Sequence, residues 1–176
     1  MNQNRLKKSI LFSYASAAVP LAMLGLPLYI YLPTFYAQSV GLSVTLVGLI
    51  LFFSRLTDVI TDPLVGLYSD RFESRYGKRK PFMLFGSLLL IISFYALIHP
   101  PEDYVEFWLL GFSMLIYLGW SIASIPYLAW SAEITSDYHE KTRLSAAREL
   151  FTIIGVLVAL LIPYLYSVSE SADKSL

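Results

Sequence analysis

The stretch Leu42–Pro81, LSVTLVGLILFFSRLTDVITDPLVGLYSDRFESRYGKRKP, decides the fold. Its first half is apolar for long enough to cross a bilayer, which takes about 20 residues of helix. Yet Arg55, Asp58 and Asp62 lie inside that run, and Pro63 follows at once. A charge facing lipid at mid-bilayer costs roughly 2.5–3.5 kcal/mol on insertion scales. Three of them on one helix are tolerable only if they face protein or water. At 100° per residue, Leu51, Arg55, Asp58, Asp62, Gly66 and Ser69 fall on one stripe, so the stripe is expected to look inward.

The rest of the chain agrees with a membrane setting. Of 176 residues, 56 % are hydrophobic and 15 % charged. A soluble domain carries about a quarter charged residues. Mean hydropathy is +0.60, and the apolar residues come in blocks. Five blocks predict an all-α membrane protein with helices at about 10–37, 43–69, 81–99, 105–131 and 145–167, after a short start (1–9) and before a polar tail (168–176). Six apolar residues before Ala15–Ala17 are fewer than the roughly 7–15 of a signal peptide, so the first helix reads as retained. Without cysteine, disulfides and thiolate metal sites are excluded.

Orientation follows from Lys and Arg. Arg5, Lys7 and Lys8 precede the first block. Arg71, Arg75, Lys78, Arg79 and Lys80 follow the second, and Lys141 and Arg143 follow the fourth. The first and third connectors carry none. The alternation predicts a cytoplasmic N-terminus and, after five crossings, an external C-terminus. In a loop between spans, the basic run near Arg75 reads as this signal, and no nucleic-acid partner is expected.

Arg55 and Asp58, one turn apart, can form a structural ion pair, which leaves Asp62 over. Two acids against one base fit a bound cation, Na⁺ or H⁺. Pro63 has no N–H, so the carbonyl of Val59 loses its helical partner. Pro126 does the same to Ile122, near Ser121 and Ser124. In a bilayer, freed carbonyls persist where they line a cavity or bind something; a plain proline kink is the alternative for each. Arg148, at the start of the fifth helix, can reach a substrate or snorkel to the interface. His99 and His139 read as solvated. HEKTR is no zinc HExxH, and no phosphate loop or nucleophile elbow occurs, so neither an enzyme nor a cofactor is expected.

SRLTDVITDPLVGLYSDRFESRYGKRKPFMLFG resembles the second helix and following loop of the glycoside–pentoside–hexuronide:cation symporters, the melibiose-permease family of the major facilitator superfamily. The shared pattern is R-x-x-D-x-x-x-D-P-x-x-G-x-x-x-D-R, then R-x-G-K and a basic-proline end. SIPYLAWSAEITSDYHEKTRLSAAR resembles its fourth helix end and fourth connector, and the resemblance extends over nearly all of residues 9–165. It implies a transporter of two six-helix bundles, of which this chain carries a partial N-terminal one. Asp58 and Asp62 match the family's acidic cation ligands, and would be metal ligands under sodium coupling. Thr61 and Ser121 keep an oxygen where the family has Asn and Thr. Arg148 matches its sugar-binding arginine. Ala22, Ser124 and Leu128 replace two acids and a tryptophan of the sugar site, with Trp120 and Trp130 nearby; Arg148, Ser124 and Trp120 are the candidate solute contacts. Gly66, expected to permit close helix approach, and Asp70, Arg71, Arg75, Gly77 and Lys78 match the cytoplasmic gate motif.

The expected function is the N-terminal part of a cation-coupled transporter for a sugar, glycoside or related small solute, in a bacterial inner membrane. Its expected partners are the solute, Na⁺ or H⁺, the lipid bilayer and a missing C-terminal half. The alternative is a non-transporting membrane fragment of a truncated transporter gene, with or without assembly with another chain.

Overall fold

The computed structural model describes residues 5–75 and 77–173, with side chains up to residue 164. The described residues form helices throughout: α1 (Lys8–Ser16), α2 (Ala18–Leu26), a π turn (Pro27–Tyr31), α3 (Leu32–Gln38), α4 (Val44–Leu56), α5 (Asp58–Arg71), α6 (Lys80–Ile98), α7 (Val105–Ile134) and α8 (Tyr138–Asp173). Taken as spans, these give five helices long and apolar enough to cross a membrane: Lys8–Gln38, Val44–Arg71, Lys80–Ile98, Val105–Ile134 and Tyr138–Tyr164. The described residues are all-α, with five spans.

The fifth helix starts at Tyr138, seven residues ahead of the apolar block at 145. Asp137 supplies the reason, because its Oδ1 accepts the Glu140 N–H at 3.0 Å and caps the helix. The tail expected from 168 on is helical as far as Asp173. The last three residues, 174–176, lie outside the described residues.

The chain divides into two compact units. The first holds the residues up to Tyr31 and those from Ile134 on. Here α1 and α2 pack on α8 around Tyr14, Ala15, Ala18 and Leu144, all buried. A Cβ on Gly155 would lie 2.6 Å from the Val19 carbonyl oxygen and 2.8 Å from the Ala22 Cβ. Ala22 is therefore a helix-packing residue.

The second unit runs from Leu32 to Glu133. Leu90, Leu97, Leu109 and Ile116 are buried along α6 and α7. Tyr36, fully buried, donates its hydroxyl to the Leu97 carbonyl at 2.9 Å. The tightest approach is at Gly86, where a Cβ would sit 2.5 Å from the Ala123 nitrogen and 2.9 Å from the Gly119 oxygen. Gly66, expected to play that part, is corrected. Its nearest neighbour would be the Ile125 Cγ2 at 3.9 Å, an ordinary contact.

Candidate functional site

The second span is interrupted at Thr57. Ser54 Oγ donates to the Ile50 carbonyl at 2.8 Å, and Thr57 Oγ1 donates to the Ser54 carbonyl at 2.6 Å. Such back-bonding hydroxyls compete with the helical ladder and bend it. The break thus precedes Pro63 by six residues, whereas α7 passes through Pro126 unbroken.

The buried face of this span is Val47, Ile50, Ser54, Asp58, Val65 and Ser69. That is a correction to the expected stripe: Arg55 lies at its edge, with its side chain 49 % exposed. It reaches back, pairing its Nη1 with Asp58 Oδ2 at 2.9 Å, and its guanidinium lies 5.1 Å from the centre of the Tyr117 ring. A cation over an aromatic face is attracted by the ring quadrupole. Tyr117 thus joins the site, a role its sequence neighbourhood did not signal.

Asp58 is buried and uses one oxygen on Arg55. Its other oxygen, Oδ1, is buried with no hydrogen-bond partner, and so is the Thr61 Oγ1 one turn on. Buried polar atoms left unpaired are costly and call for an explanation. Asp62, the next residue, accepts the hydroxyl of Ser121 from α7. Arg55, Asp58 and Asp62 line an open groove of about 480 Å³ together with Phe52, Leu56, Val59 and Pro63. Two carboxylates with hydroxyl oxygens make a hard donor set, suited to a proton or an alkali cation. Among the described residues no three His, Cys, Asp or Glu converge as metal ligands.

Trp120 and Ser124 are one turn apart on α7 and both half-buried. Arg148 belongs to the other unit, where its Nη2 donates to Glu149 at 2.5 Å and its carbonyl accepts the Thr152 hydroxyl at 3.0 Å.

At the end of the second span the loop residues separate into two groups. Arg71 and Arg75 are exposed, and Lys78 makes a loose pair with Glu73 at 3.8 Å. Gly77 has φ +101°, a conformation that favours glycine. The organising residue is Arg79, which in the sequence stood only as an orientation charge. Nearly buried, it binds Asp70 at 2.5 Å, Glu133 at 2.8 Å and the Ser69 hydroxyl at 3.0 Å. It ties the second, third and fourth spans together. Burial disfavours its charge, but the bonds and charges of Asp70 and Glu133 outweigh that and raise its pKa above the ordinary arginine value. The sequence signal for Glu133 is an acid at the end of an apolar span.

The family profile described as MFS/sugar transport protein matches residues 13–175. An uncharacterized symporter of Synechocystis sp. is 31 % identical over 77 % of this chain and 26 % of its own length. The inner membrane symporter YicJ of Escherichia coli is 29 % identical over 74 % of this chain and 29 % of its own. The glucuronide carrier protein homolog of the same organism is 28 % identical over 68 % of this chain and 27 % of its own. The chain thus spans between a quarter and a third of the length of these relatives.

Proposed function

The chain belongs to the MFS/sugar transport family of multi-pass membrane transporters, and from that premise we propose that it supplies the coupling-cation site of a symporter. The cation is Na⁺ or H⁺, the solute is a sugar, glycoside or related small molecule, and the chain is the N-terminal part of the transport machinery. The basic connectors support a cytoplasmic N-terminus, and a bacterial inner membrane is the proposed setting. The observation that carries the reading is the pair of buried, unpartnered oxygens, Asp58 Oδ1 and Thr61 Oγ1, beside the Asp62–Ser121 hydrogen bond. Asp58 and Asp62 line the groove, and a cation bound between them would draw on these spare oxygens. Asp58 and Asp62 supply the negative charge, Thr61 and Ser121 neutral oxygens. Arg55 already neutralises one carboxylate, which leaves about one unit of negative charge for a monovalent ion.

Arg148 in the first unit and, separately, Ser124 and Trp120 in the second are the proposed solute contacts. Arg148 offers a fork of donors to hydroxyl or carboxylate oxygens, and Trp120 a face for a sugar ring. Asp70, Arg79 and Glu133, with Gly77 shaping the loop, make the cytoplasmic gate cluster.

The test is cation binding and cation-driven uptake in the complete transporter carrying these residues. Asp58→Asn and Asp62→Asn keep shape and remove charge. A unit charge about 4 Å away contributes about 4 kcal/mol at an effective dielectric of 20, so cation affinity is expected to fall about a thousandfold. Ser121→Ala removes a neutral ligand and is expected to be milder. If both Asn variants accumulate solute with an unchanged response to Na⁺, Li⁺ and pH, the carboxylates are structural and the proposal fails.

A further inference from the structure

In the unit built from α1, α2 and α8, the first and last helices run parallel. The Leu6 N–H donates to Glu140 Oε2 at 3.0 Å, Phe12 meets Phe151 edge-on at 5.2 Å, and Val19 meets Gly155. Their first turns therefore lie at one end of the unit. A cleft of about 220 Å³ opens there, lined by Lys8, Leu11, Phe12, Arg143, Ala147 and Phe151.

The lining is ordered by depth. Lys8 is the first residue of α1, and Phe12 lies one turn further in. Arg143 lies in the second turn of α8, and Phe151 two turns beyond it. Charge at the rim and aromatic rings below match a molecule with an anionic head and an apolar tail. The charge balance favours an anion. Arg5, Lys7, Lys8, Lys141 and Arg143 stand against Asp137 and Glu140 around these helix starts. Arg143 gives Nη1 to both Glu140 oxygens at 2.7 Å, while its other guanidinium nitrogens make no ion pair or hydrogen bond among the described residues. Lys8 has no ion-pair partner among the described residues. Basic clefts between spans at the membrane surface suit anionic lipid headgroups.

We propose that this cleft is a binding site for one anionic phospholipid. The phosphate lies against Lys8 and the free edge of Arg143, and an acyl chain lies on Phe12 and Phe151. A free phosphate would leave the aromatic part of the cleft unused. The site lies wholly within one unit and does not depend on the transport reading.

The experiment is native mass spectrometry of the full chain in detergent, titrated with dioleoyl phosphatidylglycerol or dioleoyl phosphatidylcholine. One phosphatidylglycerol is expected to be retained in preference to phosphatidylcholine. Lys8→Gln is expected to weaken that retention about fivefold, since a basic residue near an anionic surface contributes about 1 kcal/mol. Lys8→Arg should preserve it, and so should Lys7→Gln, because Lys7 does not line the cleft. Equal retention of the two lipids by the wild-type chain overturns the proposal whether or not any variant folds. So does equal weakening by Lys7→Gln and Lys8→Gln, which would mean surface charge alone. Displacement of the lipid by inorganic phosphate would mark a headgroup-only site and overturns the acyl-chain assignment.

Discussion

Arg79→Gln is expected to loosen the junction of the second, third and fourth spans. The side chain is 10 % exposed and makes charge-assisted bonds to Asp70 and Glu133, with a further bond to Ser69. Hydrogen bonds to charged groups contribute about 1.5–3 kcal/mol each. The carboxylates left behind are 63 % and 43 % exposed, so water can solvate them. The cost therefore falls below the roughly 3–5 kcal/mol of breaking a fully buried pair, at about 2–3 kcal/mol. For a chain of this size about 1 kcal/mol moves the melting temperature by about 2–4 °C, so a drop of about 5–10 °C is expected. Because the folded-state pKa of Arg79 is raised, its stabilisation is fully present below the unfolded pKa and is lost only as pH rises through the folded value. Both lie far above neutrality, so the wild-type contribution should not vary across the ordinary working range. The assay is thermal unfolding in detergent of wild type, Arg79→Gln, Glu133→Gln and the double variant, with exposed Lys80→Gln as control. The double variant should lose less than the sum of the singles, because the two residues share a bond. An Arg79→Gln melting point equal to that of Lys80→Gln, or strict additivity with Glu133→Gln, would refute the reasoning.

Gly86→Ala should destabilise by about 1–3 kcal/mol, since its Cβ meets backbone of Gly119 and Ala123 that no rotamer can move aside. Gly66→Ala should be neutral or stabilising in the same melts, because it meets only Ile125 at 3.9 Å and gains helix propensity. Tyr36→Phe removes one buried hydrogen bond to the Leu97 carbonyl and should cost about 1 kcal/mol, read as a modest fall in melting temperature. Reporter fusions after Leu176 and within residues 71–80 should report external and cytoplasmic positions respectively; a cytoplasmic signal at the C-terminus contradicts the proposed orientation.

The spans were legible because lipid imposes a single demand, a long apolar run, and hydropathy measures it. The same measure misplaced the start of α8, since helix initiation answers to other physics. The Asp137 cap is made at an exposed position, and the turns after it are helical although they are polar. The π turn at Pro27–Tyr31 was equally hidden. Proline is tolerated in membrane helices, so Pro20, Pro27 and Pro33 do not reveal where the ladder slips. The acids of the second span were conspicuous because charge inside an apolar block is costly wherever it points. Their division of labour was not legible. Which oxygen of Asp58 meets Arg55, and that Asp62 takes the Ser121 hydroxyl, depend on how α4, α5 and α7 are rotated against one another. α7 is itself seated on α6 by contacts such as Gly86 on Ala123, between residues with no chemistry of their own. Arg79 shows the converse case. A charge in a basic loop looks like one orientation signal among five, and only the fold shows that this one is buried between two acids. Arg71, Arg75, Lys78 and Lys80 of the same loop are exposed, outside that buried cluster, and they carry four of its five orientation charges. Neutralising those four should weaken membrane orientation before it weakens the fold.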